Sequence, residues 1–177
     1  MTGDTNLNLL IENAIFFLIA TSFLTITGWM WRNSEPYSLP ETLPSWFKIW
    51  FGTVQILGGV LPIVALIFWG FWWGYSSTFT VLIPYLVMLL LQILSEIISL
   101  RQFHSVVWVM VPYLYVPYRV WQLYEGLTIL PPENELIWIR YLLFVNIVVW
   151  IGNYCLDLAQ LPFLLRWKNW DNNQENF

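Results

Sequence analysis

The apolar run NIVVWIGNYCLDLAQ, residues 146–160, carries Asn146, Asn153, Asp157 and Gln160. On a helix, at about 100° per residue, these four fall within about 60° of arc, with Trp150 alongside. They make a polar stripe able to bond other polar groups, and at Asp157 to hold a cation or exchange a proton. A charged group there is costly in hydrocarbon, by roughly 2.5–3.5 kcal/mol on insertion scales. The stripe must therefore face other helices or a wet cavity.

Glu96 is the second carboxylate in an apolar setting, with Gln92 one turn before it. If successive helices alternate in direction, rises of about 1.5 Å per residue bring Glu96 and Asp157 to similar depths. The sequence then predicts a polar cluster in one half of the bundle, built from Glu96, Asp157, Gln92, Gln55 and Asn153. Arg101 and His104 would stand at its mouth. Two carboxylates brought together share a proton and titrate as a unit. The plainer reading is that these groups only tie helices together by hydrogen bonds, each worth about 0.6 kcal/mol. A second stripe, His104, Trp108, Val111, Tyr115, Tyr118 and Gln122 with Arg119 at its edge, lies in the segment holding Pro112 and Pro117. A kinked aromatic face with one guanidinium suits a flat or amphipathic ligand, because Arg stacks on rings and forks onto carboxylate or phosphate. The plainer reading pairs Arg119 with Glu12 or Glu125 and leaves the rings to packing.

Other chemistry is limited by what the chain lacks. It has no G-x-S-x-G elbow, no phosphate-binding glycine loop and no G-x-G-x-x-G. One histidine provides neither a bis-histidine haem site nor an HExxH zinc site, and one cysteine makes neither an intrachain disulfide nor a C-x-x-C motif. No metal or cofactor is assigned. A non-enzymatic role is the stronger class, although a Glu96/Asp157 pair has the proton chemistry of an isomerase-type reaction.

The elements that must position these residues follow from composition. Of 177 residues, 58% are hydrophobic and 10% charged, with 13 Trp, 12 Phe and 9 Tyr. Soluble domains carry about 25% charged residues, so lipid is the expected solvent. The net charge of −4 argues against nucleic acid. The fold class is all-α, a multi-pass membrane helix bundle forming one domain over 1–170, with a polar, disordered tail at 171–177. Five segments meet the need for about 20 apolar residues: 9–31, 46–73, 79–100, 104–124 and 136–165. The fourth carries two prolines, and the count falls to four if it is re-entrant. With five spans, Arg32, Lys48, Arg101, Arg166 and Lys168 share one face and only Arg119 and Arg140 lie toward the other. Lys and Arg gather on the cytoplasmic side, so the N-terminus is expected outside and the C-terminus inside. The N-terminal stretch MTGDTNLN has no basic region of a cleaved signal. Trp29, Trp31, Trp46, Trp50, Trp72, Trp73, Trp138, Trp167 and Trp170 fall at or near span ends, as an aromatic belt does. Gly70-x-x-x-Gly74 is a small-residue pattern compatible with a homodimer.

A small, tryptophan-rich chain of five spans with its N-terminus outside and a polar, Pro-rich first loop resembles the overall form of the TspO/translocator family. That resemblance implies a five-helix bundle and a tetrapyrrole- or sterol-like ligand. It covers organisation only. The family carries Pro-Pro and a Trp-rich signature at its second helix, whereas LPETLPSWFKIW has Pro40, Pro44, Trp46 and Trp50 at other spacings, so no site residue carries over.

The expected function is a small integral membrane protein that holds a hydrophobic or amphipathic molecule (a lipid, isoprenoid or tetrapyrrole-like compound) in an intramembrane polar and aromatic cavity. The alternatives are an accessory subunit of a larger membrane complex, and a proton-coupled carrier or membrane enzyme using Glu96 and Asp157.

Overall fold

The structure, a computed structural model, describes residues 2–32, 45–103, 107–132 and 134–164. Among these there are helices and turns and no strand. Five long helices follow in order: α1 Thr2–Met30, α2 Ser45–Trp72, α3 Ser76–Phe103, α4 Val107–Ile129 and α5 Ile137–Leu164. A short 3₁₀ turn, Asn134–Leu136, leads into α5. His104, Arg166, Trp167, Lys168, Trp170, the side chain of Gln160 and the tail at 171–177 lie outside the described residues.

Long apolar runs account for α1 and α5, because in hydrocarbon only a helix satisfies its own backbone. α2 is less regular. It winds as a π-helix over Ile56–Val60 and again over Leu66–Trp72, with α-helical Leu61–Ala65 between. Pro62 stands between these segments and has no N–H to offer the Gly58 carbonyl four residues back. Gly74, at φ 74°, takes the left-handed conformation that ends the α2 hairpin. Gly70 faces Phe79 of the same chain, 3.0 Å from where a Cβ would stand, so the small-residue pattern serves the α2–α3 turn.

The helices alternate in direction. Asn13 near the start of α1 meets Gln122 late in α4, and Gly28 near the end of α1 meets Phe103 at the end of α3. α2 packs on α3, α3 on α4, α4 on α5, and α5 back on α2, so four helices close a ring. α1 lies outside the ring against α3 and α4. One end carries the α2–α3 hairpin and the α4–α5 connection. There the Trp69 indole donates to the Glu135 carbonyl at 3.2 Å, and the Tyr75 hydroxyl donates to the Glu135 carboxylate. We call this the hairpin end.

Helices α1, α2, α3 and α5 are long and apolar enough to cross a membrane. α4 is not among them, because Tyr113, Tyr115, Tyr118, Arg119, Gln122 and Glu125 lower its hydropathy. Its polar side chains turn inward: Tyr115, Arg119 and Gln122 are buried together with Val107, Val111, Val116 and Leu123. The perimeter is apolar instead, with Leu18, Ile26, Ile49, Phe71, Leu90 and Phe144 all exposed.

Candidate functional site: a polar core around Arg119

α3 positions the site. Its residues Thr78, Tyr85, Gln92 and Ser99 recur at a spacing of seven and are all buried. That spacing keeps them on one seam, as in a heptad. Over 21 residues the seam rises about 30 Å, close to the thickness of a bilayer core.

A third of the way along the seam from the hairpin end, Tyr85 joins three helices. Its hydroxyl donates to the Gly58 carbonyl of α2, the group that Pro62 leaves without its α-helical donor. It accepts from the Trp150 indole of α5 at 2.9 Å, and Asn146 Oδ1 lies 3.2 Å away. Asn146 is wholly buried and also donates to the Leu142 carbonyl at 2.9 Å. α2 comes this close because Gly58 has no side chain: a Cβ there would stand 2.7 Å from the Trp150 ring.

Arg119 of α4 enters this centre with 1% of its surface exposed. Its guanidinium lies 4.1 Å from the Trp150 ring centroid and 5.9 Å from that of Tyr85, a cation–π arrangement. Nη2 donates to Gln92 Oε1, and Gln92 Nε2 donates in turn to Glu96 at 2.8 Å. Gln92 is thus an amide wedge between a buried cation and a carboxylate. Nε and Nη1 of Arg119 have no acceptor. Leaving a buried donor unmatched costs about 1–3 kcal/mol, more when it is charged.

Further from the hairpin end, Asn153 donates to Asp157 Oδ2 at 3.1 Å and accepts from the Trp50 indole of α2 at 3.3 Å. The Tyr113 hydroxyl donates to the Asp157 carbonyl. Glu96 and Asp157 are half-buried and within electrostatic reach of one another, and Glu96 is within reach of Arg119. Tyr115 is buried, 3.0 Å from the Ser95 hydroxyl.

Of the residues singled out from sequence, Gln92, Glu96, Asn153, Asp157, Arg119 and Tyr115 all stand on inward or half-buried faces of the ring. The two separate stripes are one polar core, since Arg119 bonds Gln92 rather than a carboxylate at the surface. Gln55 differs. It is exposed, one position past the buried Val54, while the buried line of α2 runs through Val54, Gly58, Pro62 and Ala65. It has a suitable depth but sits on the wrong face. Arg101 is exposed near the end of α3. Tyr85, Ser95 and Asn13 were not foreseen, although the seven-residue recurrence of Thr78, Tyr85, Gln92 and Ser99 signals the first. No family model, curated protein sequence or solved structure matches the chain.

Proposed function

We propose that the chain is a five-span integral membrane protein, N-terminus outside and C-terminus cytoplasmic, that binds a small hydrophobic or amphipathic molecule at its polar core. α4 crosses as the fifth span because the ring hides its polar face from lipid. The apolar perimeter suits hydrocarbon, while the seam of α3 and the stripe of α5 keep their amides and carboxylates inside.

One observation carries the reading: a fully enclosed arginine whose direct partner is an amide and which keeps two nitrogens, Nε and Nη1, without an acceptor. A bundle built only for stability would gain by pairing Arg119 directly with Glu96, because truncated or unmatched buried charges cost about 3–5 kcal/mol. Here Gln92 holds the two apart. The unmatched donors are what a ligand's acceptor would fill.

The test is gentle detergent extraction followed by native mass spectrometry. The expected result is a monomer or dimer carrying a small molecule that Arg119→Gln releases. A large hetero-complex with no bound small molecule overturns the reading and favours an accessory subunit. The proximity of Glu96 and Asp157 favours a proton-coupled carrier as second reading. In that case Asp157→Asn abolishes proton-driven uptake in vesicles while expression is unchanged.

A further inference from the structure

The polar groups of the core form two sets. Toward the hairpin end stand Thr78, Tyr85, Asn146 and Trp150, all buried, the last three meeting at the Tyr85 hydroxyl. Toward the other end stand Gln92, Glu96, Asn153 and Asp157, each amide donating to the carboxylate one turn on. Arg119 stands where the two sets meet. Its guanidinium lies over the Trp150 and Tyr85 rings, at 4.1 and 5.9 Å from their centroids, and donates to Gln92. Hydroxyls, amides and carboxylates strung through hydrocarbon mark ion pathways and proton relays. In a chain that spans a membrane, such a file is also a leak unless something closes it.

A fixed cation closes it. It repels protons and metal cations, most strongly where little water screens it. A guanidinium also keeps its own proton, so it relays none. Arg119 meets both conditions: it is 1% exposed, and its direct partner is the neutral Gln92 amide rather than a carboxylate. Gln92 has one consistent orientation, its oxygen accepting from the guanidinium and its nitrogen donating to Glu96 at 2.8 Å. It thus bonds both charges and keeps them from joining.

We propose that Arg119 is an electrostatic plug that denies protons and small cations a passage through the polar core, and that Gln92 is the positioning residue that keeps the plug charged. The proposal goes beyond ligand binding and rests on one part of the reading above, that the ring crosses the bilayer. It accounts for the wedge, because direct pairing with Glu96 would neutralise the barrier.

The full chain is reconstituted into phosphatidylcholine vesicles holding a pH-sensitive dye, with potassium and valinomycin clamping the potential. Lumen pH is followed after an external acid step. The unaltered protein is expected to leak no faster than protein-free vesicles. Arg119→Gln acidifies the lumen roughly tenfold faster or more, whereas Arg119→Lys, which keeps a cation there, stays tight. Gln92→Glu, which sets a carboxylate directly on the guanidinium, leaks as well. Should Arg119→Gln fail to fold, Gln92→Glu decides alone. Incorporated variants Arg119→Gln and Gln92→Glu as tight as the unaltered chain overturn the plug, as does an unaltered chain that itself conducts. Equal leaks in Arg119→Lys and Arg119→Gln overturn the role of charge. Unaltered protein that alkaline carbonate strips from the vesicles overturns the spanning reading instead.

Discussion

Tyr85 compensates for a proline on another helix. Its hydroxyl meets the Gly58 carbonyl that Pro62 abandons. Tyr85→Phe therefore destabilises the protein by about 1–3 kcal/mol, read as a lower midpoint in detergent unfolding. In a Pro62→Ala background the backbone N–H returns, and the same substitution costs measurably less. Equal costs in the two backgrounds would show that the two groups do not compensate one another. Gly58 is limited by contact rather than by conformation. A methyl at Gly58 collides with Trp150, so Gly58→Ala costs about 1–3 kcal/mol by overpacking, and Trp150→Phe in the same chain recovers part of that. Arg119 was visible from sequence as an unusual residue in an apolar span. Its partner was not, because a residue's depth and face on one helix do not reveal which side chain a neighbouring helix brings opposite.

Some helix ends lie close to the expected segment ends and others do not: α1 begins at Thr2 against an expected 9, and α4 runs to Ile129 against an expected 124. The expected segment 46–73 is Ser45–Trp72, and 136–165 is Ile137–Leu164. The polar face of α5 was readable too, since period and burial agree at Asn146 and Trp150. Two things escaped. The π turns of α2 alter the phase of its face, and no local composition marks them. α4 has the length of a span without its hydropathy, and only its enclosure between α3 and α5 explains how it tolerates the polar side chains. If α4 crosses, single cysteines at Gln102 and Asn134, in a Cys155→Ser background, react with an impermeant thiol reagent from opposite sides of sealed vesicles. Labelling of both from one side makes α4 re-entrant.

For the whole molecule, the orientation rests on the distribution of seven basic residues. A fluorescent protein fused after Phe177 is expected to be protease-protected in right-side-out cells, and its digestion there reverses the assignment. The ring of α2 to α5 closes without α1. Co-expressed fragments 1–44 and 45–177 are therefore expected to co-purify, with Asn13→Leu lowering the yield of the first several-fold. Failure of the intact pair to associate would mean that the connection itself holds α1 in place. The partners of Asn13 lie 105 and 109 residues further along the chain. During synthesis α1 leaves the ribosome long before Tyr118 and Gln122 exist, and it waits in the bilayer with a bare amide. Docking of α1 through Asn13 thus waits for the fourth helix to be made, and any insertion factor that shelters a solitary polar span would have α1 as its client.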